Sequence, residues 1–563
     1  MSQPLVECVP NFSEGRDVAV IKQITDEIES VEGVSLLDVD PGAATNRTVV
    51  TFVGAPEPVI EAAVRAGRKA CQVIDMRKHS GAHPRFGAMD VCPLVPVANI
   101  TMEETAEYAR MLARRLGEEV GLTIYCYEHA ATRLERRNLA VVRAGEYEGL
   151  ADKLKKAEWK PDFGPATFNA RSGATAVGAR DFLVAYNVNL NTTSTRGANA
   201  IAFDVREKGR QRREGDALTG PIVQDEGGDA EWIPGALKCV KGIGWFIEEY
   251  GIAQVSLNLT NLGVTPVHVA FDECCKSAQS RGVRVTGSEL VGLIPLKAML
   301  DAGRYFLRKQ QRSTGVSDEE LIKIAVKSLG LDDLYPFKPE EKIIEYAVAA
   351  RSAKKKRLVD LTLEGFVHET ASESPAPGGG SVSAAMGAMG ASLATMVANL
   401  SSHKRGWDDR WEEFSDWAEK GKAHHDELLR LIDDDTDAFD QMMAALRLSE
   451  GSPEEKEVKK EAVEQATKRA IEIPFRVMES AYASMAVIKA MAETGNPNSV
   501  SDAGVGAIAA RSAVMGAFLN VRINADGVED KAWLKDLLGR GEAIQRMAIE
   551  TEREILDIVE AKL

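Results

Sequence analysis

Short apolar runs alternate with longer amphipathic segments over the first part of the chain. The runs Leu5–Val9, Val34–Asp40 and Asn46–Val53 are typical of strands, whereas Asp17–Ser30 and Glu57–Val73 repeat apolar residues with the 3.6-residue period of a helix. These segments give the order β-α-β-β-α. Such an order predicts a sheet that is covered by helices.

The alternation continues to about residue 127. A strand is predicted at Val91–Val97, a helix at Met102–Leu116 and a further strand at Leu122–Tyr127. Thr101 followed by Glu104 forms a capping box, which predicts that the helix begins there. We therefore expect a mixed sheet in this part of the chain.

A second unit with the order β-α-β-β-α-β is predicted from about Gly178. This order is the signature of a ferredoxin-like fold. The stretch Lys208–Pro234 interrupts it, changing from basic to acidic and glycine-rich, and we interpret it as a surface excursion. The predicted elements are the strand Phe182–Leu190, the helix Ser194–Glu207, strands around Lys238–Ile247 and Ala253–Leu259, the helix Pro266–Arg281 and the strand Val283–Ser288.

The pattern changes from Leu358 onward, where apolar residues follow a helical period almost throughout. Asp408–Leu448 and Pro453–Thr494 are predicted to be long amphipathic helices, the second with a kink at Pro474. An antiparallel bundle is the natural packing for such helices.

The expected fold class is therefore multidomain, with two α+β ferredoxin-like subdomains followed by an all-α helical bundle. We place the subdomains at 1–177 and 178–330, a linker at 331–357 and the bundle at 358–563. The linker is assigned because it combines prolines with a run of basic residues.

Composition narrows the possible partners and the compartment. The formal net charge of the 563 residues is −16, which argues against nucleic acid or an anionic membrane as a main partner. The seven cysteines form no CxxC pair, and residues 1–15 lack the basic and apolar regions of a secretory signal. We expect a cytoplasmic protein without a disulfide framework.

The stretch Val382–Leu400 contains no charged residue. A membrane span is one interpretation, but alanine, glycine and serine dominate the stretch and its flanks are amphipathic. Close helix packing inside a bundle explains the small residues better. Gly378, Gly379 and Gly380 precede the stretch and would open its helix with bare amide groups that favour an anion or a carbonyl oxygen.

A histidine-containing loop is the first candidate for chemistry. His83 lies between Gly81 and Pro84, just before an apolar strand, and imidazole exchanges protons near neutral pH. The alternative is an ordinary loop histidine. His79 and His83 have the i, i+4 spacing of a zinc site, but Gly81 and Pro84 interrupt a helix there, so we expect no metal.

Two further segments are candidates. Trp159–Pro165 is an aromatic, proline-rich turn between the two α/β units, suited to gripping a planar ring or serving as a plain connector. Asp435 falls on the apolar stripe that Leu428, Ile432 and Phe439 mark on a predicted helix. A carboxylate on such a stripe is either functional or part of a buried salt bridge.

Several motifs together resemble the bifunctional formimidoyltransferase-cyclodeaminase family. Those of the first half are similar to glutamate formimidoyltransferase, and those of the last part to formimidoyltetrahydrofolate cyclodeaminase. The motifs are VECVPNFSEGR, LLDVDPG, NRTVVTFVG, GAHPRFGAMDVCP, KPDFGP, IGWF and GSELVGLIPLKAMLDA in the first half, and APGGGSVSAAMGAMGASLATMV, LIDDDTDAF and GNPNSVSDAG in the last part.

The resemblance implies two reactions on folate. The first transfers a formimidoyl group from N-formimidoyl-L-glutamate to tetrahydrofolate, and the second closes the ring to 5,10-methenyltetrahydrofolate with loss of ammonia. It implies that His83 is the transferase histidine, that Asp435 is the cyclodeaminase aspartate, and that Pro161, Asp162, Phe163, Gly164 and Pro165 belong to a folate site. The co-substrate would be tetrahydrofolate, with or without a polyglutamate tail, and the protein would be a homo-oligomer.

The chemistry of these reactions suggests supporting residues. Asp40, at the end of a strand, is the candidate to orient and charge-stabilise His83, and Arg85 would hold a substrate carboxylate through its forked guanidinium. Asn496 and Asp502 lie in a polar loop and are candidates to support Asp435. Two other functions remain open: a transferase fused to a methenyltetrahydrofolate cyclohydrolase-type domain, and a non-catalytic folate-binding assembly protein.

Overall fold

Two large sheets, each with helices packed on it, and a set of long helices make up the described part of the protein, as a computed structural model shows. The structure describes residues 4–43, 45–81, 84–215, 219–225, 227–351 and 357–563. By their contacts the residues divide into two units, one of Met1–Met299 with Val326–Lys354 and one of Leu300–Ala325 with Lys355–Leu563.

The first sheet is built by the N-terminal part of the chain. Its strands are β1 (Leu5–Cys8), β2 (Asn11–Phe12), β3 (Val34–Gly42), β4 (Arg47–Gly54), β5 (Met89–Ala98), β6 (Thr123–Glu128) and β7 (Ala174–Ala179). The helices of this part are α1 (Val18–Glu29), α2 (Pro56–Val73), α3 (Met102–Arg115), α4 (Leu139–Val142) and α5 (Glu146–Lys153). The predicted capping box is confirmed, since Thr101 and Glu104 exchange both hydrogen bonds at the start of α3.

The strand order of this sheet is β3, β4, β1 with β2, β5, β7 and β6. The pairs of β7 with β5 and β6 are parallel and the others are antiparallel. Side chains of successive residues point to opposite faces of a sheet. Val6 and Cys8 therefore join the core under α1, α2 and α3, whereas Glu7 and Asn11 point to the other face.

The second sheet has four strands in the order β11, β12, β8, β13, all antiparallel. Helices α6 and α7 pack on one face of this sheet. The excursion predicted at 208–234 contains the short pair β9 and β10, while residues 216–218 and 226 lie outside the described part. The elements are β8 (Val184–Leu190), α6 (Thr195–Val205), β9 (Arg210–Gln211), β10 (Trp232–Ile233), β11 (Val240–Ile247), β12 (Ile252–Leu259), α7 (Val267–Ser280) and β13 (Val285–Val291).

Between the second sheet and the helical part, the described residues form four helices. They are α8 (Leu296–Lys309), α9 (Asp318–Leu329), α10 (Pro339–Lys342) and α11 (Ile344–Arg351). Residues 300–325, which include most of α8 and α9, pack with the helical unit, although the predicted boundary assigns them to the second subdomain. The predicted linker at 331–357 includes residues 352–356, which lie outside the described part.

The remaining chain is helical. Its helices are α12 (Leu363–Thr370), α13 (Gly379–Ser402), α14 (Trp411–Leu446), α15 (Pro453–Thr494), α16 (Val500–Ile523) and α17 (Lys531–Glu560). The two long helices are thereby confirmed, and α15 continues through Pro474.

Helices α13 and α16 pack closely and run antiparallel. A methyl group added to Gly387 would lie 3.2 Å from Ala513 Cβ, and one added to Gly390 would lie 2.9 Å from the Gly506 carbonyl oxygen. Two described stretches, Gly379–Ser402 and Pro497–Gly527, have the length and composition of a membrane-crossing helix, and 61% and 50% of their apolar windows are buried inside the protein. Their small residues serve this contact between helices.

Candidate active sites

The first candidate site surrounds the loop between α2 and β5, on the sheet face opposite α1, α2 and α3, where Val142 of α4 and Leu150 of α5 pack against Phe86 and Val91. Ala82 and His83, the predicted general base, lie outside the described residues. The described residues on both sides of them are held by hydrogen bonds and ion pairs. The site is therefore described through these neighbouring residues.

Asn46 holds the N-terminal side of the loop. Its backbone is left-handed (φ 50°), its side-chain amide donates to the Ser80 carbonyl at 2.9 Å, and its own carbonyl lies 2.7 Å from His79 Nε2. A methyl group on Gly81 would lie 2.1 Å from the Thr45 carbonyl oxygen, so this close approach requires glycine. His79 is thus engaged by the backbone.

Asp90, at the start of β5, holds the C-terminal side. Its side chain is almost fully buried, with Oδ1 accepting the Phe86 amide at 2.8 Å and Oδ2 lying 2.9 Å from Arg143 Nη2 and 3.5 Å from Arg47 Nη1. Arg143 also donates to the Pro84 carbonyl. Three residues that are distant in sequence thus form one charged group at the base of the loop.

The charges in this group influence one another. Burial raises the pKa of Asp90, and the guanidinium groups of Arg47 and Arg143 oppose that rise. Burial also lowers the pKa of Arg47 to about 10, and Asp90 opposes this change. Two cations share one carboxylate, so the group carries a net positive charge that suits an anionic substrate.

Sequence reasoning missed Asp90, Arg47 and Arg143 as site residues. Asp90 and Arg47 stand inside two of the motifs quoted above, GAHPRFGAMDVCP and NRTVVTFVG, which was the available signal. Arg143 directly follows the short helix α4, which no motif marks.

Arg85, the candidate for binding a substrate carboxylate, is already paired. Its guanidinium forms an ion pair with Glu148, whose side chain is 58% exposed, and lies over the Tyr147 ring at 5.7 Å from the ring centre. The Arg85 side chain is only 20% exposed, so the pair is solvated mainly on the glutamate side. The predicted role of Arg85 in binding a substrate carboxylate stays a prediction.

Asp40 lies near the end of β3 on the same face of the sheet, where α11 packs against Leu37. Desolvation by surrounding atoms raises the pKa of Asp40, the neighbouring Asp38 raises it further, and Lys342 opposes the rise. Glu289, on the second sheet, is also one of its charged neighbours. The predicted pairing of Asp40 with His83 involves a residue outside the described part and stays a prediction.

Glu289 belongs to a polar network on the helix-free face of the second sheet, which the sequence did not predict. Its carboxylate accepts hydrogen bonds from Asn187 at 3.1 Å, from Gln254 at 3.2 Å and from Tyr250 at 3.1 Å. Asn187 and Gln254 are buried although they are polar. The helix-free face of the second sheet thus carries a buried polar network.

The segment Pro161–Pro165 is held by the edge strand β6. Asp162 Oδ2 lies 2.8 Å from the buried Arg136 Nη1 and also accepts the Cys126 amide at 2.8 Å. Gly164 has φ 77°, and a methyl group there would lie 1.9 Å from the Leu122 carbonyl oxygen. These contacts use the Asp162 carboxylate within the protein, and the expected grip on a planar ring stays a prediction.

The second candidate site lies in the helical unit, where α14 meets the first turn of α13. Asp435 Oδ2 accepts the Ser381 hydroxyl at 2.9 Å, and the Ser381 backbone amide also bonds the carboxylate. Burial raises the pKa of Asp435, and the two bonds from Ser381 oppose the rise. Asp435 is a group that can hold or release a proton nearer to neutral pH than an ordinary aspartate.

Two of the predicted glycines explain how the carboxylate reaches the helix start. A methyl group on Gly380 would lie 2.2 Å from Asp435 Oδ1, and one on Gly379 would lie 2.9 Å from Asn520 Nδ2. Gly378 precedes the helix as its N-cap residue. The bare first turn admits Asp435 on one side and Asn520 on another.

Asn496 and Asp502 are not brought to Asp435, which corrects the expectation that they support it. The Asn496 amide donates to Ser401 Oγ at 2.8 Å, at the C-terminal end of α13. Ser401 lies twenty residues along the helix from Ser381, or about 30 Å at 1.5 Å per residue. Because α16 runs antiparallel to α13, its C-terminal Asn520 lies at the Asp435 end instead.

Asp433 has a different role from Asp435. Its Oδ1 accepts the Leu358 amide at 2.6 Å and so caps the short turn at Leu358–Asp360. A cavity of about 690 Å³ begins one helical turn from the Asp435 contact, between Ala385 and Ile432, and its lining is mainly apolar. An aromatic ring system fits such a lining.

The described residues contain no group of three or more histidine, cysteine, aspartate or glutamate side chains placed to hold a metal ion. The donor sets around Asp90 and Asp435 are instead hydrogen bonds and ion pairs. Fold and sites together define a two-part protein: an α/β unit with a charged loop site and a helical unit with one half-buried carboxylate at a helix start.

Comparison with known proteins gives the family. Residues 5–180 match the formiminotransferase domain, N-terminal subdomain, residues 185–349 match the formiminotransferase domain, and residues 362–543 match formiminotransferase-cyclodeaminase. The chain is 44% identical to the formimidoyltransferase-cyclodeaminase of Gallus gallus over 527 residues, which cover 94% of this chain and 93% of the relative. The chain belongs to the formimidoyltransferase-cyclodeaminase family.

Relatives of single parts also exist. The glutamate formimidoyltransferase of Streptococcus pyogenes is 41% identical over 304 residues, covering 54% of this chain and 93% of the relative. The methenyltetrahydrofolate cyclohydrolase of Methylorubrum extorquens is 33% identical over 202 residues, covering 36% of this chain and 97% of the relative.

Proposed function

We propose that the chain is a bifunctional folate enzyme of histidine degradation. It transfers the formimidoyl group of N-formimidoyl-L-glutamate to tetrahydrofolate and then cyclises 5-formimidoyltetrahydrofolate to 5,10-methenyltetrahydrofolate, releasing ammonia. The observation that carries the proposal is its family membership along the whole chain, with a separate candidate site in each unit.

In the transfer step, N5 of tetrahydrofolate attacks the amidine carbon of formimidoyl-glutamate. The C–N bond to glutamate breaks from a tetrahedral species, and the proton lost from N5 passes to the departing amine. His83 is proposed to carry that proton, because imidazole is suited to both halves of the transfer. The net positive group of Arg47, Asp90 and Arg143, together with Arg85, supports binding of the anionic glutamate portion.

In the cyclisation step, N10 attacks the formimino carbon and a bond to nitrogen breaks to release ammonia. The N10 proton must leave, and the departing imine nitrogen must gain two protons, that one and one from solvent, so that it leaves as ammonia and the methenyl product carries the positive charge. Asp435 is proposed to move these protons, supported by its raised pKa and by its bonds to Ser381. Gly378, Gly379 and Gly380 are proposed to keep the helix start open for the folate.

A mixed assay tests both steps at once. Protein, formimidoyl-glutamate and tetrahydrofolate are combined, and methenyltetrahydrofolate absorbance and ammonia are followed together. Both products are expected in equal amounts. Absence of turnover despite tight folate binding would instead support a non-catalytic assembly protein.

A second candidate for the helical unit is a methenyltetrahydrofolate cyclohydrolase activity. The relative from Methylorubrum extorquens, which matches only this part, favours it. The two activities separate on one substrate, because only a cyclodeaminase releases ammonia from supplied 5-formimidoyltetrahydrofolate.

We further propose that both sheets are ferredoxin-like subdomains, with boundaries at 1–177, 178–330, 331–357 and 358–563. The shared order β3-β4-β1-β5 and β11-β12-β8-β13, in which the first sheet adds β7 and β6, supports this assignment. The first strand stands third in both orders.

A cytoplasmic homo-oligomer is also proposed. The apolar side chains exposed on α16, among them Val505, Leu519 and Ile523, fit a contact with a second copy. Sedimentation of the purified chain tests the oligomeric state.

A further inference from the structure

We propose that Asp90 is a positioning residue for the transfer reaction, setting Arg85 in place for the carboxylate of the formimidoyl-glutamate substrate. The proposal rests on the transferase function proposed above. In this proposal the buried Asp90 carboxylate acts on Arg85 through the neighbouring backbone groups rather than through direct contact of the two side chains.

Asp90 fixes the backbone on both sides of Arg85. Its Oδ1 accepts the amide of Phe86, the residue after Arg85, at 2.8 Å. Its Oδ2 lies 2.9 Å from Arg143 Nη2, and Arg143 donates to the carbonyl of Pro84, the residue before Arg85. Both peptide groups that flank Arg85 are therefore fixed by the same carboxylate.

A third anchor holds the backbone of Arg85 itself. Its carbonyl accepts the Tyr147 amide at 2.8 Å, and its guanidinium lies over the Tyr147 ring. By contrast, the exposed Glu148 is the ion-pair partner of its side chain. The backbone is rigidly placed while the charged end is easily exchanged, which is the arrangement a binding residue needs.

Arg85 and Arg143 also carry side-chain N–H groups that can donate to a ligand. Within the described ranges, the buried Nε–H groups of Arg85 and Arg143 have no hydrogen-bond acceptor. A buried donor without an acceptor is costly in a folded protein. A ligand carboxylate that reaches such a group would supply its acceptor, and the substrate of the proposed transfer is a dicarboxylic acid.

The competing explanation is that Asp90 is only a buried ion-pair partner that stabilises the first sheet. Removing one partner of such a pair destabilises a protein whether or not a substrate binds nearby. The two explanations differ in what they predict for the substrate. Misplacement of Arg85 raises the KM for formimidoyl-glutamate, whereas lost stability alone lowers the amount of active enzyme and leaves KM unchanged.

The test is Asp90→Asn in the full-length chain. Asparagine keeps one oxygen for the Phe86 amide but offers Arg143 no second carboxylate oxygen. We expect the KM for formimidoyl-glutamate to rise about 10- to 100-fold, the loss typical of a charge-assisted hydrogen bond. The KM for tetrahydrofolate and the cyclisation of supplied 5-formimidoyltetrahydrofolate should stay within twofold.

Asp204→Asn is the matched control. Asp204, on α6, is also an aspartate shared by two arginines, at 3.0 Å from Arg210 Nη1 and 3.1 Å from Arg281 Nε, on the helical side of the second sheet. This variant should lower Tm without changing either KM. Equal Tm losses in both variants, with unchanged KM for formimidoyl-glutamate, would overturn the proposal.

Arg143→Lys covers the case in which Asp90→Asn does not fold. Lysine keeps a cation beside Asp90 but lacks the planar fork that reaches both Asp90 and the Pro84 carbonyl. The same rise in KM is expected with a smaller loss of Tm, and an unchanged KM would refute the positioning role. A wild-type enzyme that transfers no formimidoyl group would refute the proposed function instead, before any variant is measured.

Discussion

The loop site on the first sheet shares its charge among several side chains, whereas the site in the helical unit depends on one carboxylate and a bare helix start. Arg47 and Arg143 meet Asp90 from distant parts of the chain. Asp435 is instead met by the hydroxyl and amide of the single residue Ser381.

The difference shows two ways to hold a buried carboxylate at a candidate site. In the first unit, opposite charges offset the cost of burying one another, so that a loop can be held by electrostatics. In the helical unit, the absence of a side chain at Gly380 lets a carboxylate approach backbone amides. The first arrangement depends on the charged side chains around Asp90. The second depends on the absence of a Cβ atom at Gly380.

The largest expected effect is the selective loss of one reaction. His83→Ala should reduce formimidoyl transfer by about 10²–10⁴-fold, the usual contribution of a positioned acid or base, and leave cyclisation of supplied 5-formimidoyltetrahydrofolate near normal. Asp435→Asn should give the reverse result, with 5-formimidoyltetrahydrofolate accumulating when both substrates of the transfer are supplied. Product analysis on each variant measures this. Equal loss of both activities in either variant would refute the two-site comparison.

The next largest effect is expected on the stability of the fold and involves Glu7, a buried acid in the first sheet. Glu7 is 5% exposed, and burial raises its pKa to about 7 from an ordinary value of 4.5, while Arg180 opposes the rise. The unfolded chain therefore loses this proton first, so stability falls as pH rises from about 4.5 to about 7. The difference of about 2.5 pH units corresponds to about 3 kcal/mol.

Glu7→Gln removes this pH dependence. The variant should be more stable than wild type by up to about 3 kcal/mol at pH 8, and the difference should shrink towards pH 5. Thermal unfolding of both proteins at several pH values measures it. A variant that is less stable at pH 8 would show that Arg180 keeps Glu7 ionised.

A smaller effect is expected when a methyl group is added in the first turn of α13. Gly380→Ala places a methyl group against the Asp435 carboxylate, and crowding of this kind costs about 1–3 kcal/mol. Cyclisation should fall at least tenfold while transfer is unchanged, as rate assays of the two reactions will show. Gly539→Ala in α17, where a methyl group meets nothing within 4 Å, is the control and should leave both rates unchanged. Full cyclisation in Gly380→Ala would mean that the contact is not needed.

The smallest effect concerns the pH dependence of Asp435. Because burial raises its pKa, the cost of burying the carboxylate is absent near pH 4, grows as pH rises, and is complete above the raised pKa. Asp435→Asn should therefore gain Tm relative to wild type as pH rises above 3.8, the ordinary pKa of an aspartate, until pH exceeds the raised pKa of Asp435. The opposite slope would show that the Ser381 bonds outweigh burial.

Much of the fold could be predicted from periodicity and caps. The helix Pro453–Thr494 has the predicted bounds, and the capping box of Thr101 and Glu104 begins α3 as expected. These features are local, because a helix start is defined by residues three positions apart. Asp435 was found for a similar reason, since its position on the apolar stripe follows from the helical period.

The supports of the sites were harder to predict because they are not local. Arg47 and Arg143 lie 43 and 53 positions from Asp90, and no spacing rule links them. Asn496 was assigned to Asp435 because it lies in a polar loop, yet the direction of α16 takes it to the far end of α13. Helix direction in a bundle is a property of the whole packing, and Asn520 was missed for the same reason.

The segment at residues 300–325 has a consequence for how such a chain can arise by gene fusion. Because it packs with the helical unit while residues 326–354 return to the α/β unit, the polypeptide passes between the units three times rather than once. Joining two finished genes end to end would produce a single passage. If the helical part of a relative replaced residues 355–563 through a single junction, that part would be separated from its own counterpart of residues 300–325. A chimaera that also exchanges residues 300–325 needs three junctions.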